Sequence, residues 1–299
     1  MVVAPGTHII SVKYTIFDIA NNKIISITKK YGTRTLEPNK IYDIAVNLGL
    51  TAFNGGHSGT DGSDKIEEIR VYSGHNYYMW DARKNYWFGH EWDSSDPWQP
   101  EPYCGTYAHE PQATDTDRWY HVGIGGFEAS VNPLFKQLPN ANEMAWYVMK
   151  GDVHLDTNTQ WQIFGKIYTG GIWVKKINVI AQEQHKTREE LKAKNHEGLD
   201  MRTTFKTYYV NSYVVNSPKP GKPADSEIDK YFFLPAQGAY FHDPTQLYCI
   251  GNYGGYWSST SVPRNDTMQA YGIGFYVNRR QVFVTEGDRS NGATTQLLE

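Results

Sequence analysis

Aromatic rings and carboxylates are concentrated between residues 76 and 98, a combination used by enzymes that act on glycosidic bonds. The rings and acids of this cluster are Tyr77, Tyr78, Trp80, Asp81, Tyr86, Trp87, Glu91, Trp92, Asp93, Asp96 and Trp98. Such rings can stack on sugars, and a carboxylate pair about 5 Å or about 6.5–9.5 Å apart can cleave a glycosidic bond. Sequence spacing does not set that separation, and acids this close along a chain more often form turns. A carbohydrate-active enzyme is therefore the alternative interpretation and not the favoured one.

Other catalytic and metal-binding patterns are incomplete. The pair at residues 90–91 (His-Glu) lacks the second histidine of a zinc-protease helix, and the acids of residues 152–156 lack calcium-loop spacing. Residues 37–39 spell Glu-Pro-Asn, the calcium-dependent sugar motif of animal C-type lectins, but no Trp-Asn-Asp partner accompanies them, so they predict a turn. The chain has no Gly-x-Ser-x-Gly elbow and no phosphate-binding glycine loop after a strand. We expect no catalytic residue, no metal and no cofactor.

The last predicted strands have two contrasting faces. Apolar residues at period two predict a buried face made of Tyr271, Ile273, Phe275 and Val277 and, after a turn at residues 278–280, Val282 and Val284. The opposite face carries Gly272, Gly274, Tyr276, Asn278, Gln281, Phe283 and Thr285. A solvated strand face normally shows Lys, Glu and Thr, so bare glycines, exposed rings and polar tips indicate contact with a partner. Alternatively, Tyr276 and Phe283 pack beneath another loop.

The loop before this hairpin extends the predicted binding surface. Trp257 is followed by small hydroxyl residues and is expected to anchor the loop in the core, with the residues after Pro263 projecting from it. The predicted ligand-binding residues are Asn252, Tyr253, Arg264, Asn265, Asp266, Thr267, Met268, Tyr276, Asn278, Arg279, Arg280, Gln281, Phe283, Thr285, Asp288 and Asn291.

Composition narrows the classes of partner. The 299 residues include 22 Tyr and 9 Trp, amphipathic rings that suit a core, a protein interface or a sugar-stacking surface. A net charge of -3 with scattered basic residues argues against a nucleic-acid partner. The sequence also lacks a run of about 18 apolar residues, so we expect no membrane insertion. Cys104 and Cys249 are the two cysteines; one disulfide is possible, but we expect them to be unpaired.

Periodicity predicts a β-rich start followed by a mixed α and β region. Ile10, Val12, Tyr14 and Ile16 share a strand face, and residues 21–22 (Asn-Asn) predict a turn before a strand at 24–28. A third alternation runs from Tyr42 to Leu48, and residues 54–64 have the composition of a hinge. We expect a β-rich region at 1–60, a linker at 61–75 and a binding domain at 76–299. Too few strands precede the linker for a closed sandwich, so we expect residue 1 to be a boundary within a longer parent.

Three helices are predicted from their caps and periodicity. Asn140 and Glu143 form a capping-box pattern with Gly151 as the stop, and residues 187–190 (Thr-Arg-Glu-Glu) repeat the pattern for a short helix. A further helix is predicted from about Asn158, with Trp161, Phe164 and Tyr168 facing inward and residues 170–171 (Gly-Gly) ending it.

Several segments resemble a family of fimbrillin-associated surface proteins of Bacteroidales with a C-terminal domain of the FISUMP type. The matching segments are 78–82 (Tyr-Met-Trp-Asp-Ala), 86–92 (Tyr-Trp-Phe-Gly-His-Glu-Trp), 96–100 (Asp-Pro-Trp-Gln-Pro), 142–152, 170–176 (Gly-Gly-Ile-Trp-Val-Lys-Lys), 231–236 (Tyr-Phe-Phe-Leu-Pro-Ala) and 255–260 (Gly-Tyr-Trp-Ser-Ser-Thr). Residues 36–50 similarly resemble the closing strands of a fimbrillin-type sandwich. The resemblance implies a C-type-lectin-like fold of the formylglycine-generating-enzyme type, used as an adhesin. It does not carry over oxidase chemistry, which needs a C-terminal cysteine pair, whereas only Cys249 lies there.

The C-terminal segment also resembles the variable proteins of diversity-generating retroelements, which place hypervariable positions on this fold. The segments that resemble the constant frame are 256–260, Pro263, 270–271, Ile273, Phe275, Val282 and Arg289. Typical endings of that family have Ser, Tyr and Gly where this chain has Arg264, Met268, Arg279, Arg280 and Phe283.

The sequence therefore predicts an α+β protein, with a C-type-lectin-like domain preceded by a small β-sandwich-like region. We expect a non-catalytic adhesin at the cell surface or on a pilus that binds a glycan or protein ligand. Contacts with other pilus subunits are a further expectation, and a purely structural pilus subunit is an alternative to the adhesin.

Overall fold

The described chain divides into two compact units. In this computed structural model the first unit comprises Met1–Tyr72 and Gln160–Tyr168, and the second comprises Ser73–Thr159 and Thr169–Glu299. The residues that the structure describes are 4–18, 23–42, 69–90, 109–120, 123–211, 217–241, 246–265 and 268–298.

The first unit contains a long antiparallel hairpin of β1 (Gly6–Asp18) and β2 (Lys23–Leu36). Gly6 pairs with Leu36 at one end and Asp18 with Lys23 at the other, with an irregularity between Ile10 and Ser11. The strand predicted from the Ile10 alternation is confirmed, and β2 extends well beyond the predicted 24–28. The turn at 21–22, residues 43–48 of the third alternation and the hinge at 54–64 lie outside the described residues.

The other strands are short or medium in length. They are β3 (Arg70–Val71), β4 (Tyr77–Tyr78), β5 (His154–Ile163), β6 (Lys166–Lys175), β7 (Tyr208–Val210), β8 (Lys219–Pro220), β9 (Tyr231–Pro235), β10 (Ala239–Phe241), β11 (Gln246–Tyr248), β12 (Tyr253–Ser261), β13 (Gln269–Tyr276), β14 (Gln281–Asp288) and β15 (Ala293–Thr294). The α-helices are α1 (Ala141–Lys150), α2 (Ile177–Glu183) and α3 (Arg188–Ala193). The described chain is thus a mixed α+β fold in which strands predominate, as predicted.

A six-stranded sheet dominates the second unit, in the order β4-β15-β12-β13-β14-β7. Its centre is antiparallel, while β15 runs parallel to β12. Helix α1 packs against β12, β13, β14 and β7, so one face of the sheet is covered. The side chains on that face include Tyr271, Ile273, Phe275, Val282 and Val284, all buried, which confirms the predicted inward face.

The two capping-box helices form as predicted. The Asn140 side chain accepts the amide of Glu143, the Glu143 carboxylate accepts the amide of Asn140, and Gly151 is the C-cap of α1. Thr187 and Glu190 make the same reciprocal bonds at the start of α3. The short helix α2 was not predicted, because its N-cap, Lys176, offers no side-chain cap.

The helix predicted from Asn158 is wrong, because residues 154–175 form the hairpin of β5 and β6. Phe164 and Gly165 have φ values of 50° and 68°, the positive angles that a two-residue hairpin turn requires. The Trp161 ring stacks on Tyr168 at 5.2 Å from the opposite strand. Trp161 and Tyr168, which are seven positions apart, thus meet across strands, at a spacing that two turns of a helix also fit.

Candidate functional site

The face of the six-stranded sheet opposite α1 carries a groove with a volume of 560 Å³. Its floor is made by Gly255, Gly272 and Gly274, which lie on β12 and β13, with Gly255 directly opposite Gly274. A Cβ on Gly272 would stand 2.6 Å from the carbonyl oxygen of Tyr256. A Cβ on Gly274 would stand 2.2 Å from the Phe283 ring. The glycines predicted to lie on the outward face therefore create the concavity of the groove.

An arc of aromatic rings runs along this face. Ring centroids of Phe241 and Tyr253 are 6.1 Å apart, those of Tyr253 and Tyr276 are 4.9 Å apart, and those of Tyr276 and Phe283 are 6.1 Å apart. Tyr209 on β7 continues the arc at 5.7 Å from Phe283. These rings come from five strands, four of which, β12, β13, β14 and β7, are neighbours in the six-stranded sheet.

Phe283 differs from its prediction as an exposed ring. It is 8% exposed, because Gly274 directly opposite leaves room for the ring to lie flat between Tyr209 and Tyr276. It still lines the groove together with Tyr276, which is partly exposed. The rings therefore form the wall of a depression and do not project from the surface.

The tyrosine hydroxyls of the groove are neutral hydrogen-bonding groups. Burial raises the pKa of Tyr276 and, more strongly, that of Tyr253. A phenol whose pKa is raised keeps its proton at any physiological pH, so it can donate as well as accept a hydrogen bond.

Two acidic residues, Glu286 and Asp288, line the groove at the end away from the hairpin turn. Glu286 lies 3.7 Å from the Arg264 guanidinium, and Asp288 accepts a hydrogen bond from Gln269, which itself accepts one from Arg264. Arg264 lies over the ring of Phe205, which stacks on Tyr271 of the covered face. Arg264 and Asp288, two predicted ligand-binding residues, thus belong to a polar chain that runs from Arg264 through Gln269 to this end of the groove.

The predicted residues at the hairpin turn form a second, adjacent group. Asn252 accepts the amide of Asn278 at 2.9 Å. Arg279 is exposed, and its guanidinium lies 4.7 Å from the Tyr276 ring centroid. Arg280 has a positive φ of 49° and donates to the carbonyl of Pro218.

The remaining predicted residues are distributed as follows. Thr285 and Asn291 line the groove with Tyr253, Tyr276 and Phe283, and Gln281 pairs with Tyr276 at the turn end. Asn265 and Met268 are exposed at the opposite end of β13, where Met268 contacts the Tyr120 hydroxyl at 3.3 Å. Asp266 and Thr267 lie outside the described residues.

The segment 257–261 holds the sheet rigidly behind the groove. The buried Trp257 donates its indole N–H to the carbonyl of Tyr78 at 2.8 Å, as expected of an anchor. Ser259 and Thr260 both donate to the carboxylate of Glu128, at 2.8 and 3.0 Å. Satisfied buried polar groups of this kind specify one arrangement of the strands.

Arg289 stabilises the C-terminal end of β14. The residue is fully buried, its guanidinium lies between the rings of Trp80 and Phe127, and it donates to the carbonyls of Gln269 and Gly123. Burial lowers its pKa to about 10, so the group stays charged at neutral pH. It acts as a structural cation that ties a neighbouring loop to the hairpin.

The rings of the 77–87 segment belong to the core and not to a sugar platform. Tyr77, Trp80 and Tyr86 are fully buried and Trp87 is 4% exposed. Asp81 is also buried, and its carboxylate accepts the amides of residues 130–132. Glu91, Trp92, Asp93, Asp96 and Trp98 lie outside the described residues.

The groove residues that sequence reasoning missed include Phe241, Gly255 and Trp257, and it also missed Tyr209, which extends the arc of rings from Phe283. Of these, Trp257 was predicted as an anchor only. Their involvement depends on strand order, for which the chain carries no local signal.

Within the described ranges, no group of three or more His, Cys, Asp or Glu side chains could hold a metal ion. Cys249 is a free thiol there, and Cys104 lies outside those ranges. No helix of the described residues is long and apolar enough to cross a membrane. No family model, curated protein or solved structure matches the chain.

Proposed function

We propose that this chain is a non-catalytic surface adhesin that binds its ligand in the groove of the six-stranded sheet. The proposal includes a C-type-lectin-like fold of the formylglycine-generating-enzyme type and a place at the cell surface or on a pilus. Both follow from the sequence resemblance, and the mixed α+β fold of the chain supports the fold part of the proposal.

The groove itself is the observation that carries the proposal. Its 560 Å³ lies within the range of about 300–1,000 Å³ typical of small-ligand sites. Tyrosine rings wall it, and rings with few rotatable bonds lose little conformational entropy on binding. The hydrogen-bonded frame of residues 257–261 and Arg289 holds these rings in place before a ligand arrives.

A carbohydrate-active enzyme remains the second candidate, with less support. Four of the rings that would form its sugar platform are buried, and Asp81 has its carboxylate occupied by backbone amides. Turnover of polysaccharides, lost on Asp93→Asn, is the observation that would favour it.

The test replaces a groove ring and measures ligand capture. Tyr276→Ala, screened on arrays of glycans and of surface proteins, is expected to lower affinity for any captured ligand roughly thirtyfold, the effect of losing a central aromatic contact. Because Tyr276 is partly exposed, the melting temperature should fall by no more than a few degrees.

The matched control is Tyr42→Ala, which removes an exposed tyrosine from the first unit. It should leave capture unchanged. Full capture by Tyr276→Ala, or equal loss in both variants, contradicts the proposal. Loss of self-assembly instead of ligand capture would identify a structural pilus subunit.

A further inference from the structure

Arg279 is a cation beside Tyr276, which lines the turn end of the groove. Its guanidinium lies 4.7 Å from the centroid of the Tyr276 ring. Within the described ranges no carboxylate lies within 4.0 Å of it. When an arginine lies over an aromatic ring, its guanidinium is partly oriented and its N–H groups can bind a carboxylate.

Most of the described residues that line the groove are uncharged, and the exceptions are Glu286 and Asp288. Tyr253, Tyr276 and Asn291 offer hydroxyl and amide groups, Phe283 offers an apolar ring, and the Thr285 hydroxyl donates to Glu286. The acids at the other end, Glu286 and Asp288, are engaged by Arg264 and Gln269. Among the described residues, the groove therefore presents neutral hydrogen-bonding groups and rings along its length, with the partnered acids at one end and Arg279 at the other.

This arrangement suits a saccharide better than a peptide strand. Strand β13, whose Gly272 and Gly274 form part of the floor, pairs with β12 on one side and β14 on the other, so its backbone groups are already engaged. A peptide cannot add to this face as a further strand. Sugar rings carry apolar C–H faces that stack on aromatic rings and hydroxyls that match neutral donors and acceptors.

We propose that the groove binds an acidic saccharide, with a sugar ring against Tyr253 and Tyr276 and the sugar carboxylate paired with Arg279. This inference rests on the proposed function and names the ligand class of the same site. A guanidinium binds a carboxylate through two parallel hydrogen bonds, so it distinguishes a uronic or sialic acid from a neutral sugar.

The test titrates the whole ¹⁵N-labelled chain with saccharides that differ in charge and compares their affinities. The probes are methyl glucuronide, methyl glucoside and the methyl glycoside of N-acetylneuraminic acid, with an acetylated Tyr-Asp dipeptide amide as the peptide arm. The amide signals of Gly272 and Gly274 report occupancy of the floor. We expect at least one acidic sugar to bind roughly tenfold more tightly than methyl glucoside, the effect of one charge-assisted pair.

The deciding variant is Arg279→Gln. It should bring the ratio of acidic-sugar to methyl glucoside affinity, both measured on the same variant, to about one, while Arg279→Lys should retain part of the preference. Arg188→Gln on α3 removes an equal charge from a half-exposed side chain and should have no effect.

Equal binding of charged and neutral sugars, or a preference that survives Arg279→Gln, overturns the acidic-saccharide inference and leaves the adhesin proposal intact. Binding of the dipeptide alone overturns the inference in favour of a protein ligand. Failure of the adhesin proposal has a different signature, in which Tyr276→Ala changes no binding on either array.

Discussion

The substitution Gly274→Ala tests whether the groove floor is set by steric room above β13. The added Cβ would lie 2.2 Å from Cε2 and 2.5 Å from Cζ of Phe283. Phe283 has little space to retreat, since Tyr209 and Tyr276 flank it at 5.7 and 6.1 Å. The ring must leave its place or the strands must separate.

The expected cost combines two opposing effects. Overpacking of a well-filled site costs about 1–3 kcal/mol. Replacing glycine by alanine where φ is not positive stabilises the folded protein by about 0.4–1 kcal/mol, because alanine restricts the unfolded chain. Gly274 has no positive φ, so this gain applies. The free energy of unfolding should therefore fall by about 1–2 kcal/mol, measured by urea denaturation.

The clash with Phe283 is separated from other causes by a double-mutant cycle. In a Phe283→Ala background the added methyl meets no ring, so Gly274→Ala should be neutral or slightly stabilising. Gly287→Ala is the matched control, because its Cβ would meet Trp257 at an ordinary 3.4 Å. If Gly274→Ala destabilises both backgrounds equally, the steric account of the floor is refuted.

Two further perturbations probe the frame. Asn140→Ala removes the cap that accepts the Glu143 amide and the bond from Asn140 to the carbonyl of Lys192, so urea denaturation should show a loss of about 1–2 kcal/mol; an unchanged midpoint would contradict the capping role. Hydrogen bonds from Arg202 lower the pKa of Asp200 from 3.8 to about 2, so its stabilising contribution is present above pH 3.8 and is lost as pH falls towards 2. The stability difference between wild type and Asp200→Asn should shrink over that window in urea titrations, and a constant difference would contradict the ion pair.

Short-range features of this protein were predictable from sequence. The capping boxes of α1 and α3 join residues three positions apart, so their side-chain and amide partners are visible in the chain itself. The C-terminal hairpin was predictable for a similar reason, since alternation and a short turn set its two faces.

Burial of the 77–87 rings was not predictable from composition. Tyr77, Trp80 and Tyr86 have the residue types of a sugar platform, yet each packs in the core against rings distant in sequence, such as Tyr240 for Tyr77 and Tyr86 and Phe135 for Trp80. Aromatic side chains suit a core and a binding surface equally, and only the fold around them decides between the two.

What the sequence by itself determined is therefore which segments become capped helices and which residues share a face of the last hairpin, because these depend on hydrogen bonds and periodicities within a few positions. Tertiary structure alone decided that Tyr253, Tyr276, Phe283 and Tyr209 form one arc over a glycine floor. Their contacts depend on the order and register of strands that lie tens of residues apart in the sequence. That order follows from the burial of the whole sheet against α1.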